Sequence, residues 1–134
     1  MEQKIFDHLF KAAEKARSRA YAPYSHFFVG AAIRTKEGKI YGGCNLDNAS
    51  FGATICAERS ALFNAYVEGE RDFTHMVIIH TGEVEAGPCG ICRQVLREHC
   101  FDLEIAWTDP DKKHKRLVSI QDLLPYSFGP SSLK

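Results

Sequence analysis

The chain has 134 residues, 45% hydrophobic and 25% charged, a size and balance that suit one domain spanning 1–134 and exclude a disordered chain. No apolar run is long enough to cross a bilayer, and residues 1–20 mix charges where a secretion signal would be apolar, so a cytoplasmic protein without a membrane partner is expected. Seventeen basic residues balance seventeen acidic ones, which argues against a nucleic-acid partner, because a protein that grips phosphates carries a basic excess.

In chain order, a helix is expected over residues 3–19, where Ile5, Phe6, Leu9, Phe10 and Ala13 form one helical stripe. Ala22-Pro23-Tyr24-Ser25 breaks it. Two strands follow, 27–35 and 39–45, joined by a short turn at Gly38 and therefore antiparallel. A second helix covers 55–68 and stops near Gly69, and a buried strand over 76–80 leads to Gly87-Pro88. A third helix covers 89–99, a strand 103–108 and a short strand 117–118; Ser119 then caps a helical stretch that ends at Pro125. The basic run Lys112-Lys113-His114-Lys115-Arg116 reads as a solvated loop. Strands alternating with helices, after an antiparallel pair, predict an α/β fold: a three-layer α/β/α sandwich with a mixed sheet.

Cysteine carries the strongest chemical signal. Five of them, Cys44, Cys56, Cys89, Cys92 and Cys100, form an odd set in a chain without a signal peptide, which favours metal ligation or thiol chemistry over a disulfide framework. Pro88-Cys89-Gly90-Ile91-Cys92 places two thiols one helical turn apart where a helix begins. A redox dithiol uses the same spacing, yet that reading leaves Thr54-Ile55-Cys56-Ala57-Glu58-Arg59 unexplained. Cys56 also falls at a helix start, and such ends stabilise the thiolate that binds zinc. Three thiolates exceed a divalent cation by one negative charge, and Arg59 is placed to offset it through hydrogen bonds to sulfur. Three ligands also leave one vertex of a tetrahedron for water, the mark of a catalytic zinc site. Cys44 and Cys100 read as buried core thiols, and the six histidines show no paired ligand spacing. Glu58 is either a first-turn carboxylate that complements a helix dipole or the general acid and base beside the open vertex. The attached cysteines favour the second role.

Zinc deaminases carry an element of this kind followed downstream by Pro-Cys-x-x-Cys. Four linked blocks of this chain resemble the small homotetrameric cytidine deaminases: Tyr21-Ala22-Pro23-Tyr24-Ser25-His26-Phe27-Phe28-Val29-Gly30-Ala31-Ala32, Gly43-Cys44-Asn45-Leu46-Asp47-Asn48-Ala49, Cys56-Ala57-Glu58-Arg59, and Pro88-Cys89-Gly90-Ile91-Cys92-Arg93-Gln94-Val95-Leu96. The resemblance implies a mixed five-stranded sheet between helices and zinc-dependent hydrolysis of cytidine and deoxycytidine to uridine products and ammonia. It also implies a free pyrimidine nucleoside as substrate, a role in pyrimidine salvage, and a homotetramer. By the same resemblance Phe27 packs against the pyrimidine, Asn45 and Asp47 hold the ribose 3′-hydroxyl, the Ala57 backbone contacts the base, and Phe128 reaches a neighbouring subunit's pocket.

Two positions depart from the family pattern. Asp47 stands where glutamate is usual, one methylene shorter, and Phe51 stands where tyrosine is usual, without the phenolic hydroxyl. The metal and proton-transfer parts are thus intact while the sugar end is altered. The rival readings are the same chemistry on a modified cytosine, nucleoside analogue or other aminopyrimidine, a zinc-stabilised binding module, and a dithiol redox protein.

Overall fold

A computed structural model describes residues 1–81 and 85–133. Helix α1 (Gln3–Arg17) buries Phe6, Leu9, Phe10 and Ala13, the stripe that its 3.6-residue period puts on one face. Lys15 and Arg17 occupy its last turn, where cations complement the helix dipole. Strands β1 (Gly30–Thr35) and β2 (Ile40–Cys44) form the expected hairpin around Gly38, whose φ of 95° favours glycine. Then come α2 (Ala57–Val67), β3 (Phe73–Ile79), α3 (Gly90–His99), β4 (Glu104–Thr108), β5 (Arg116–Ser119) and the single turn α4 (Ile120–Leu123). Ser119 caps α4, its hydroxyl accepting from the Asp122 amide at 3.1 Å. Short 3-10 turns at Phe51–Ala53 and Pro130–Leu133 had no signal in the sequence.

The sheet order is β2-β1-β3-β4-β5; only β3 and β4 run parallel, so the sheet is mixed and five-stranded. Strand periodicity sorts the core into two layers. Ala32, Val77, Ile79 and Ala106 face α1, packing on Phe6, Leu9, Phe10 and Ala13. Their sequence neighbours Ala31, Ile33, Met76, Ile78, Ile105 and Trp107 face the other way, onto Ala61, Leu62 and Ala65 of α2 and Leu96 of α3. This is the expected three-layer α/β/α arrangement. Among the described residues no helix is long and apolar enough to cross a membrane.

Two differences from the expected elements bear on the site. The first strand begins at Gly30, not at residue 27: apart from the Val29 carbonyl, which accepts from the Asn45 amide, the backbone of residues 27–29 is held by side chains. The third strand begins at Phe73, three residues early, since Phe73 pairs with Thr35 past a register shift that leaves Thr74 as the extra residue. The basic run is exposed as expected, but it is not merely solvated. The Lys112 and Lys115 ammonium groups lie 4.3 and 3.6 Å from the ring centroids of Phe10 and Phe6 and tie the loop to α1.

Gly43 fixes how closely α2 lies on β2. A Cβ there would fall 2.2 Å from the Ala61 backbone nitrogen, and backbone cannot swing aside. Gly43→Ala should therefore lower the melting temperature by about 5–10 °C, on the order of 1–3 kcal/mol of overpacking. Because the start of α2 moves with it, zinc retention should weaken too. A differential scanning calorimetry trace matching wild type would refute this packing argument.

Candidate active site

β3 and β4 point their C-terminal ends the same way, the end where α/β sheets place their ligand sites. The connection from β3 turns back there into α3, whose N-cap is Cys89. The N-cap of α2 is Cys56. Cys89 has extended backbone, and its sulfur accepts from the Cys92 amide at 3.5 Å, which seats Cys92 in the first turn. The two helix starts bring Cys56, Cys89 and Cys92 together, all three sulfurs lying within 4.8 Å of one another. The Cys56 and Cys89 sulfurs are 3.5 Å apart. Tetrahedral zinc with bonds of about 2.3 Å needs sulfurs separated by roughly 3.8 Å, so the donor set fits in both chemistry and spacing. No other group of three or more candidate ligands exists among the described residues. Cys44 and Cys100 stay outside it; Cys100 is buried as expected, and burial pushes its thiol up to about 12, whereas Cys44, expected in the core, is only half-buried on the edge strand β2.

The electrostatics follow from crowding three sulfurs. Cys56 is held down at about 5, first by the hydrogen bond from the Cys92 thiol and then by Arg59 and Cys89, with burial opposing. The Cys92 thiol moves the opposite way, raised by that same bond and by its burial. Arg59 Nη2 donates to Cys56 Sγ at 3.5 Å, the charge-balancing position expected from the sequence. Glu58 occupies the first turn of α2 and is 5% exposed. Burial first and the Cys56 negative charge second push its carboxyl up to about 7. A carboxyl poised there can both take and return a proton near neutrality.

These groups open onto a cavity of about 250 Å³. Its wall contains Phe27, Asn45, Asp47 and Ala57 of the expected substrate contacts, together with Cys56, Glu58 and Cys89. A hollow this small takes a small molecule, not a polymer. A larger hollow of about 500 Å³ lies at the opposite end of the strands between Arg71, His75 and His99, but no cluster of ligand atoms converges there among the described residues.

The structure also shows how Asn45 and Asp47 are held. The Asn45 carboxamide accepts from the Val29 amide at 2.9 Å and donates to the Phe27 carbonyl at 2.7 Å. The Asp47 carboxylate accepts from the Ser25 amide at 2.9 Å, the Ser25 hydroxyl at 3.2 Å and the Tyr24 amide at 3.2 Å. The Ser25 amide chiefly, with its hydroxyl and the Tyr24 amide, holds the Asp47 carboxyl below its ordinary value. Phe128 is exposed and absent from the cavity wall; its carbonyl accepts from Gln94 at 2.9 Å. Among the wall residues to which the sequence reading gave no role are Ser25 and His80. His80 has the same strand parity as Met76 and Ile78, which was the available signal.

The class defined by this fold and this cluster is found again by comparison with known proteins. The family described as cytidine and deoxycytidylate deaminase zinc-binding region matches residues 4–105. A cytidine deaminase of Halalkalibacterium halodurans is 42% identical over 120 residues, 90% of this chain and 91% of that protein. The crystal structure of cytidine deaminase from Burkholderia pseudomallei superposes with a TM-score of 0.87 at 43% identity, covering 96% of this chain and 100% of that one. The enzyme from Mycobacterium tuberculosis gives a TM-score of 0.80 at 36% identity, over 93% and 98% of the two chains. The chain belongs to the zinc-dependent cytidine and deoxycytidylate deaminase family.

Proposed function

We propose that this protein hydrolyses the 4-amino group of cytidine and deoxycytidine, giving the uridine nucleoside and ammonia, in the salvage of free pyrimidine nucleosides. The observation that carries the reading is a buried Glu58 with a carboxyl near 7, beside three gathered sulfurs, in one small-molecule cavity. Zinc, held by Cys56, Cys89 and Cys92, supplies the Lewis acidity that makes water a nucleophile at neutral pH. Glu58 accepts one proton of the water that attacks C4 and hands it to N3; it then takes the other from the new C4 hydroxyl and delivers it to the amine, so the C4 carbonyl forms as the C–N bond breaks and ammonia leaves. Arg59 holds the Cys56 sulfur and tempers the negative charge of three thiolates. The Ala57 backbone faces the base at the start of α2, and Phe27 packs against the pyrimidine.

Asn45 and Asp47 hold the ribose while also holding the loop. After its bonds to residues 27–29, Asn45 keeps one N–H and one lone pair; Asp47 keeps about one of its four acceptor sites. One remaining acceptor is enough for a 3′-hydroxyl. The exposed side chains of Phe51, Ile91, Tyr126 and Phe128 support a homotetramer in which Phe128 reaches a neighbour's cavity. Five free cysteines support the cytoplasm, and the zero net charge supports a free nucleoside over nucleic acid.

The decisive assay is ammonia release by the purified protein from cytidine, deoxycytidine and cytosine. Both nucleosides should be turned over roughly 10- to 100-fold more efficiently than the free base, the worth of one or two hydrogen bonds to the sugar. Equal efficiency with and without the sugar would remove Asn45 and Asp47 from the ribose role, and ammonia from none of the three would defeat the proposal.

A further inference from the structure

Phe27, the aromatic wall of the cavity, stands on backbone that no strand ladder holds. Residues 27–29 precede β1, and apart from the Val29 carbonyl, which accepts from the Asn45 amide at 3.3 Å, their backbone groups are held by side chains. Asn45 bridges the Phe27 carbonyl and the Val29 amide, and Arg17 Nε donates to the Phe28 carbonyl at 3.0 Å. The third support comes from the exit of β3, where the Thr81 hydroxyl accepts from the Phe28 amide at 3.0 Å. His80 precedes it. Its amide donates to the Thr108 carbonyl at 3.2 Å, so the backbone of this residue is fixed to the end of β4.

The direction of the His80 side chain follows from strand alternation. Val77 and Ile79 point to α1; Met76, Ile78 and hence His80 point to the layer that holds the cysteines. His80 is 1% exposed and, with Ile78, lines the cavity. Its ring lies nearly parallel to Phe27, 13° between planes with centroids 6.3 Å apart, whereas Phe27 is 38% exposed. One ring stands just past the end of β3 on backbone bonded to β4 and is buried, and the other stands on a loop and is part-exposed, so the first orients the second.

On the reading that this cavity takes a nucleoside, we propose that His80 is a positioning residue that sets the plane of the Phe27 ring against which the pyrimidine packs. It acts on binding and moves no proton. Burial, the largest influence, lowers the pKa of its imidazole, so a neutral ring meets the Phe27 face at neutral pH. An aromatic pair is worth about 0.5–1.5 kcal/mol beyond its area, which corresponds to roughly a 2- to 12-fold change in affinity.

The test compares His80→Leu, which fills the space without a ring, with His80→Phe, which restores one. In the Leu variant the KM for cytidine and the Kd for uridine, measured by calorimetry, should both rise about three- to tenfold, with kcat within about twofold and zinc retained. The Phe variant should return both constants toward wild type. In a Phe27→Leu background, His80→Leu should add almost nothing, because its effect passes through that ring. Unchanged KM and Kd in the Leu variant, equal recovery by Leu and Phe, or effects at 27 and 80 that simply multiply would each overturn the proposal. Wild-type turnover of cytidine, measured in the same series, separates such a failure from a failure of the nucleoside reading itself.

Discussion

Glu58→Gln should abolish deamination while leaving the protein folded and loaded with zinc. The carboxamide has the volume of the carboxylate, so the first turn of α2 and the packing around a side chain only 5% exposed are retained. What disappears is the ability to accept a proton. Because the same group serves both the water and the leaving amine, the loss exceeds that of a single acid–base step, and kcat should fall at least about 10³-fold. The sulfur ligands are untouched, and metal analysis should find zinc at the wild-type ratio. A variant that retained zinc and near-normal turnover would exclude Glu58 as the proton carrier.

The pH profile of the wild-type protein gives an independent reading of the same group. Glu58 must be ionised to accept a proton, so kcat/KM should climb as pH rises through its pKa. In the metal-free chain that value is about 7, raised by burial and by the Cys56 charge. A dication beside both groups favours the charged carboxylate and cancels the Cys56 contribution, which moves the inflection down. The acid limb should therefore lie between the ordinary glutamate value of about 4.3 and 7. It should be absent from the residual activity of the Gln variant.

Much of this was visible in the sequence because the informative residues obey short-range rules. Helical period places Ile5, Phe6, Leu9, Phe10 and Ala13 on one face, and the structure buries all of them but Ile5, which is half-buried. The Cys-x-x-Cys spacing at a helix start and the Cys-Ala-Glu element each fix local geometry, so the three sulfurs and Glu58 come together as soon as both helix starts meet at one end of the sheet. The loop before β1 was not visible in this way. Residues 27–29 look like strand because Phe-Phe-Val has strand composition, yet their partners are Asn45, Arg17 and Thr81, up to 53 residues away. Asp47 shows the same limit. Its place in a block that resembles the family implied a sugar contact, but its three hydrogen bonds to Tyr24 and Ser25 arise from a turn whose closeness no local pattern encodes. His80 was passed over because histidine was weighed as a metal ligand, where spacing matters, and not as a wall residue, where strand parity does.

Removing one sulfur should have the second large effect, and of a different kind. Cys92 is fully buried in the first turn of α3, its sulfur within 4.8 Å of that of Cys56 at the start of α2, so a cation held by both would join the two helices. Serine in its place offers a hydroxyl that does not ionise at neutral pH, so the soft anionic donor is gone and two thiolates remain. Zinc should be lost on dialysis, and with it both the activity and the cross-link between two chain segments. Where free zinc stands about a thousandfold above its Kd, that linkage contributes about 4 kcal/mol, and the melting temperature of the variant should fall and no longer respond to added zinc. Cys100→Ser is the matching control. Its thiol is equally hidden but stands apart from the cluster, so it should cost some stability for a buried hydroxyl and leave zinc content and turnover as they were. If Cys92→Ser kept its zinc, or if Cys100→Ser lost it, the ligand set read from the two helix starts would be wrong.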